Sequence, residues 1–359
     1  FFRSFWDLLG TTMLWVDKYR PRDLDQMEIH KDICEKLKKV VSESDFPHLL
    51  FYGPSGGGKK TRIMALLRHY FGSGVERLKN EHKTYKVNEK QVEVSTLSSQ
   101  YHIEVNPSEA GTSDRIVIMT MIKEIAESAP LDSSGAKSFK VIILSEVDQL
   151  SRGAQQALRR TMEKYVKTCR LILVANTTSK IIDPLKSRCL GIRVPLPQSH
   201  EVIGVLNHVA KKESFALPLE FAQQIAEGSG GNLRRAILSL EAAKVQHYPF
   251  APEQSIPKPD WEAYLEVVAK GMCTEQSPKQ ILEVRGQLYE VLASCIAPET
   301  ILQNLAGQLM KSLDTNMKCQ VARWAAHYEH MMKRGSKPIV HLEAFVAKFM
   351  YLYRKAINM

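Results

Sequence analysis

The sequence predicts an α/β fold in which a mostly parallel sheet, flanked by helices, is followed by two purely helical units. Three observations predict it. Short aliphatic runs, HLLFY at 48–52, KVIIL at 140–144 and LILVA at 171–175, alternate with stretches of helical periodicity, the order expected of a parallel sheet. The first run leads through a glycine-rich bend into a helix, and beyond Pro195 and Pro197 only helical patterns remain. In such a sheet, ligands bind beyond the carboxyl ends of the strands.

Each element follows from its local text. The chain from Met13 begins with WVDKYRPRDLD and continues as a helix through IHKDICEKLKKVV, which Pro47 stops. HLLFYG is a buried strand, because apolar and aromatic residues run together before glycine instead of recurring at helical spacing. GGGKKTRIMALLRHYFG switches to helical periodicity and ends at Gly72. From Lys83 to Val105, alternation around a polar NEK break predicts a β-hairpin or an added strand pair. SDRIVIMTMIKEIAESAP is helical to Pro130, and FKVIILSEVDQL is a strand with a polar end. SRGAQQALRRTMEKYVKTC is a helix, RLILVANTT a strand ending in polar residues, and LGIRVPLP a short last strand. SHEVIGVLNHVAKKE, LEFAQQIAEGSG and GNLRRAILSLEAAKVQ form a small helical unit, which YPFAPEQSIPKPD links to a second helical region starting at Trp261. The aliphatic stripes of that region fit a packed core and association with other subunits equally well.

A chain of 359 residues exceeds the usual single domain. Lys+Arg 49 against Asp+Glu 39 gives a formal charge of +10, which favours phosphates or anionic protein surfaces as partners. Cys34, Cys169, Cys189, Cys273, Cys295 and Cys319 include no CxxC pair, which argues against a zinc site or a disulfide framework and fits a reducing compartment. No run reaches the roughly 18 apolar residues of a membrane span, so no membrane partner is expected. The opening FFRSFWDLLGTT, before Met13, is too short and interrupted for a signal peptide. It reads as an extension or an artefact, with export or transit as the alternative.

The chemistry is concentrated in GPSGGGKKT: Gly53, Pro54, Ser55, Gly56, Gly57, Gly58, Lys59, Lys60 and Thr61. Residues 53–59 match GxxxxGK between a strand and a helix. Backbone N–H groups around such a bend converge on phosphate, the helix start adds positive potential, and Lys59 reaches the terminal phosphates. The alternative is a structural glycine turn. The next residue is normally a Ser or Thr whose hydroxyl binds magnesium; here it is Lys60, and Thr61 comes one residue too late. At the end of VIILSEVD, Ser145 stands where an Asp would coordinate the cation, while Glu146 remains able to orient a water and Asp148 follows. This segment read alone is equally an acidic cap after a core strand. With both metal positions altered, the site is expected to hold nucleotide but to hydrolyse it slowly or not at all.

WVDKYRP at 15–21, GPSGGGKK, SEVD at 145–148, AQQALRRTMEKY at 154–165 and KSRC at 186–189 together resemble the small subunits of replication factor C, the eukaryotic sliding-clamp loader. The similarity runs from Met13 to the terminal HLEAFVAKFMYLY, and Lys60 with SEVD is most similar to a subunit at an end of the open five-membered ring. The resemblance implies an AAA+ nucleotide-binding domain at 13–196, a helical lid at 197–250 and a helical collar at 251–359, with 1–12 as the extension. It implies ATP or ADP as ligand, with Mg2+ weakly supported and no other metal. Lys59 becomes the nucleotide lysine, Glu146 the would-be catalytic glutamate, Asn176 the first sensor and Arg234 the second. Val16, Tyr19, Arg20 and Pro21 lie near the adenine. Read alone, Asn176 is equally a strand-end turn residue and Arg234 a surface helix residue.

Arg188 of SRC, by the same resemblance, projects to the adjoining subunit's ATP as an arginine finger; the structural alternative is a local salt bridge. Arg115 and Arg152, each at a helix start, become contacts to the backbone of primer–template DNA, or are simply solvated. Ile118, Met121, Ile122 and Ile125 form a stripe whose exposed neighbours would face the sliding clamp, core packing being the alternative for the stripe. The partners implied are the other subunits of a hetero-pentamer, the sliding clamp and DNA, in the nucleus, in replication and DNA repair. Two other classes stay open: a self-sufficient AAA+ ATPase, helicase or remodeller, and a structural collar protein with a vestigial loop.

Overall fold

The computed structural model describes residues 13–42, 47–87, 90–108, 111, 114–127, 139–166, 168–250, 254–335 and 337–357. The opening FFRSFWDLLGTT and the end of the helix expected to reach Pro130 lie outside them. The chain divides into two compact units, residues 1–256 and 257–359.

The first unit is built on a seven-stranded sheet. Its strands are β1 (Leu49–Tyr52), β2 (Lys79–Val87), β3 (Lys90–Ser98), β4 (His102–Val105), β5 (Lys140–Leu144), β6 (Cys169–Ala175) and β7 (Leu190–Arg193), in the order β2-β3-β4-β5-β6-β1-β7. β4, β5, β6, β1 and β7 are parallel neighbours, whereas β2 and β3 form an antiparallel hairpin added at one edge. Apart from Lys140 and Arg170 near the starts of β5 and β6, the central strands are apolar because both faces are covered. Leu49 and Phe51 pack with Val141, Ile143 and Ile172 on one face, among residues of α1 (Lys31–Ser42) and α2 (Lys59–Phe71). Leu50 packs with Ile142, Leu144, Leu171 and Leu173 on the other, among residues of α3 (Asp114–Glu127) and α4 (Arg152–Lys164). This period of two, read off each strand, fixes the register.

Two expectations need correction. The alternating stretch from Lys83 to Val105 is not one hairpin: β2 begins earlier, at Lys79, and His102–Val105 is a separate strand parallel to β5. The helix expected to run to Cys169 ends at Lys164, where the Tyr165 N–H closes on Thr161 O. Cys169 then opens β6, pairing with Lys140. The stripe Ile118, Met121, Ile122 and Ile125 is core, none more than 3% exposed, while Ile116 and Met119 on the same helix are 42% and 43% exposed.

Three helices complete this unit: α5 (Ser199–Lys212), α6 (Leu219–Ser229) and α7 (Leu233–Gln246). Their core of Val202, Leu206, Phe221, Ile225 and Leu240 takes in Trp15 from the opening segment, stacked on Phe215 with ring centroids 5.5 Å apart. Lys18 and Tyr19 both donate to Glu213, so WVDKYRP is fastened to the helices and not to the sheet. Phe250 and Ile256 pack on the same cluster, which is why the first unit extends to residue 256.

The second unit is all helical: α8 (Asp260–Thr274), α9 (Pro278–Ala293), α10 (Pro298–Lys311), α11 (Thr315–Arg334) and α12 (Pro338–Ile357). Its core joins Leu265, Met272, Leu288, Leu305, Phe345 and Phe349. Val267, Leu282 and Tyr351 are 60% to 63% exposed. No helix among the described residues is long and apolar enough to cross a membrane.

Candidate nucleotide site

The bend between β1 and α2 is shaped by glycines that no other residue can replace without displacement. Gly53 has φ +143°, and a Cβ there would lie 2.0 Å from Val194 O. Gly56 has φ +80°, and its Cβ would lie 1.9 Å from Asn232 Oδ1. Asn232 caps α7 by accepting the Arg235 N–H at 3.1 Å. The start of α7 therefore rests on the phosphate loop, and only glycine leaves room for it.

Lys59 is 8% exposed. Its ammonium donates to Gly53 O at 2.5 Å, Pro54 O at 3.0 Å and Asn176 Oδ1 at 3.0 Å. Burial holds this group below the usual lysine range; Asp148 opposes that shift and Arg234 adds to it. Asp148, itself buried, accepts the Asn176 backbone N–H at 3.3 Å and so holds the backbone of the residue whose side chain Lys59 meets. Beneath the loop, the buried Arg62 donates to Gly57 O and Ile29 O, both at 2.9 Å.

A cavity of about 1000 Å³ opens over this loop. The opening segment contributes Val16, Tyr19, Arg20 and Pro21, the loop Ser55, Gly56, Gly58, Lys59, Lys60 and Thr61, the strand ends Ser145, Glu146 and Asn176, and α7 Arg234. Residues more than two hundred positions apart in sequence thus surround one space. Gly53, Pro54 and Gly57 do not line it; the first two hold Lys59 from behind through their carbonyls. Glu146 sits in the left-handed backbone region at φ 53° and accepts the Ser108 hydroxyl at 3.2 Å. A non-glycine residue held there stores about 1–3 kcal/mol of strain, a feature concentrated at functional sites.

Lys60 and Ser145 converge on a residue that sequence reasoning missed. Lys60 Nζ lies 2.7 Å from Glu104 Oε1, and the Ser145 hydroxyl donates to the same oxygen at 3.4 Å. The cradle and cavity fit a nucleotide, whose phosphates Lys59 and the loop would hold and whose base the opening segment would meet. The same residues do not fit magnesium, because an ammonium and an engaged hydroxyl occupy the two positions that would ligate it. Among the described residues, no group of three or more His, Cys, Asp or Glu side chains could hold a metal ion, and all six cysteines are free.

The other predicted residues lie outside the cavity. Arg188 donates Nε to Glu163 Oε1 at 2.8 Å and Nη1 to Pro184 O at 2.8 Å, the local ion pair that was the alternative reading of this arginine. Its loop is held by Gln155, 1% exposed, which donates to Leu150 O and Lys180 O and accepts the Ile182 N–H. Arg115 and Arg152 are brought together. Asp114 accepts the Ser151 N–H at 2.8 Å and its hydroxyl at 3.0 Å, joining the starts of α3 and α4 and placing two exposed arginines side by side. Gln155 and Asp114 carried no sequence signal beyond their polarity within a helix or at its start.

Known proteins match nearly the whole length of this chain. A family profile described as "Replication factor C subunit 3, C-terminal domain" matches residues 261–357. One described as "RCF1/5-like, AAA+ ATPase lid domain" matches 204–245, and one described as "DNA polymerase III, delta subunit" matches 29–198. Replication factor C subunit 3 of Arabidopsis thaliana is 54% identical over 346 residues, 95% of this chain and 98% of its own length. The protein of the same name from Bos taurus is 54% identical over 343 residues, 95% and 96% of the two chains, and that from Homo sapiens 53% identical over the same shares.

Proposed function

Because the chain belongs to the replication factor C subunit 3 family of small clamp-loader subunits in the AAA+ superfamily, we propose that it retains adenine nucleotide while hydrolysis takes place in its neighbours. It acts as one member of a nuclear hetero-pentamer that loads a ring-shaped sliding clamp onto primer–template DNA in replication and repair. Residues 13–196 form the AAA+ nucleotide-binding domain, 197–250 the lid and 251–359 the collar.

The observation that carries this proposal is the pairing of a complete nucleotide cradle with Lys60 and Ser145 at the metal positions, both turned to Glu104. ATP or ADP, when bound, supplies the phosphates whose presence or absence the lid can register through Asn232 and Arg234. The chain's own residues bind and orient: Lys59 and the loop hold phosphate, Asn176 is positioned by Asp148, and α7 lies against Gly56. Arg188 serves the adjoining subunit, where a planar guanidinium stabilises charge on the transferring phosphoryl group. Arg115 and Arg152 face the DNA backbone, and Ile116 and Met119 the clamp. Reconstitution of the five-subunit complex tests the assignment: clamp loading onto primed DNA should require this chain. Loading at an unchanged rate by an assembly that lacks it would contradict the assignment.

A further inference from the structure

Two departures from the phosphate-loop pattern meet on one carboxylate oxygen. Glu104 is the third residue of β4 and pairs with Ile143 of β5, and the Ser145 N–H donates to Val105 O at 3.0 Å. The sheet thereby fixes the Glu104 carboxylate beside the strand end that carries Ser145. The Glu104 side chain is 13% exposed against 47% for Lys60. A carboxylate so little hydrated needs a cation beside it, and the ammonium supplies it at 2.7 Å. An aspartate at position 145 would instead set a second carboxylate against Glu104. The two departures are therefore mutually consistent.

Their charges also add up. Relative to a loop with Ser or Thr after the lysine and Asp at the strand end, Lys60 adds one positive charge and Ser145 removes one negative charge. These two positions together gain two positive charges, the charge of one magnesium ion, with the Glu104 carboxylate facing the ammonium. Both residues line the cavity over the phosphate loop.

We propose that this pocket is a metal-free nucleotide site, in which the Lys60 ammonium, anchored by Glu104, replaces magnesium and takes a free nucleoside di- or triphosphate in preference to its magnesium complex. The proposal rests on the pocket being an adenine-nucleotide site. Lys60 supplies charge and up to three hydrogen bonds on a flexible stem, but not the octahedral oxygen shell with which magnesium orders phosphates. Such a site retains nucleotide and does not set up its hydrolysis. It also frees occupancy from any requirement for magnesium.

The test is calorimetric titration of the full chain with ADP and with ATP, once with excess Mg2+ and once with excess EDTA. Binding should be tighter in EDTA than in excess Mg2+, which withdraws free nucleotide from solution. Lys60→Ala should weaken binding in EDTA about tenfold or more, the loss of one charge-assisted contact. Lys60→Thr, and the double variant Lys60→Thr with Ser145→Asp, should bind weakly in EDTA and recover with Mg2+. Mn2+ should broaden the phosphorus resonances of ADP bound to those variants and leave those of ADP bound to the wild-type chain sharp. Wild-type binding that needs Mg2+, or broadened wild-type resonances, would overturn the metal-free site and leave the nucleotide pocket standing. Absence of ADP and ATP binding in both buffers would overturn both.

Discussion

Arg188 and Glu163 share one oxygen: Arg188 Nε donates to Glu163 Oε1 at 2.8 Å, and Nη2 lies 2.6 Å from the same atom. The guanidinium holds the exposed Glu163 carboxyl below the usual range, and neither residue lines the nucleotide cavity. An exposed pair of this kind adds little stability. Arg188→Ala should leave the chain folded and its nucleotide affinity unchanged, yet lower ATP turnover at the neighbouring site by about tenfold or more. Arg188→Lys should recover little, lacking the planar donor fork. Glu163→Gln separates the two roles, since a merely local bridge would make it mimic Arg188→Ala. Steady-state hydrolysis by the reconstituted complex, with assembly verified by native mass spectrometry, decides the matter. Normal turnover in an intact Arg188→Ala complex would refute the finger.

Asp114 places Arg115 beside Arg152, which makes DNA binding testable at one spot. Alanine at either arginine should weaken binding of the assembled complex to primed DNA equally for all sequences, and should reduce the slope of log K against log salt by about one per residue. Unchanged slopes would remove these two contacts and leave the rest of the account intact.

Gly56 and Gly72 separate backbone strain from site geometry. Both have φ above +75°, but a Cβ at Gly56 meets Asn232 whereas one at Gly72 meets nothing within 4 Å. Either change to Ala should destabilise the chain by about 1–3 kcal/mol through its positive φ. Only Gly56→Ala should also lower nucleotide affinity, by about tenfold or more, as α7 is pushed off the loop. Thermal unfolding paired with ADP titration measures both.

His102 is fully buried, meets Ser99 Oγ at 2.7 Å through Nδ1, and has its pKa lowered by burial to about 4. The unfolded chain, with an ordinary histidine, binds the proton more readily. Stability is therefore fully present above the unfolded value near 6.5 and declines as pH falls toward 4. Denaturant unfolding at about pH 7 and pH 5 should differ by about 2 kcal/mol more in the wild-type chain than in His102→Gln. Equal pH dependence in the two chains would remove His102 as the cause.

The parts of the fold legible in the sequence are those that buried patterns write locally. Leu49–Tyr52, Lys140–Leu144 and Cys169–Ala175 are mainly apolar because both faces are covered, and their order around the glycine bend predicted the mostly parallel sheet. β2 was placed late because most of Lys79–Thr84 is exposed, so no buried alternation marks its start. The glycine loop was legible through its motif, Asn176 and Arg234 only through the family resemblance; Ser55, Gly56, Lys59, Asn176 and Arg234 line one cavity. Glu104, Gln155 and Asp114 were not, because their work depends on pairing across the sheet or between helix starts: Glu104 meets Ser145 across 41 positions. Lys60 was legible as a departure, but its carboxylate partner was not.

Whether this pocket holds nucleotide without turning it over is decided by a paired measurement on the purified full chain: stoichiometric ATP binding together with steady-state phosphate release, for the wild-type chain and Lys59→Ala. One nucleotide should be bound per wild-type chain, binding should be lost in Lys59→Ala, and phosphate release by the wild-type chain should be no faster than by the variant. Magnesium-dependent release by the wild-type chain that Lys59→Ala abolishes would contradict this and make the protein a self-sufficient ATPase.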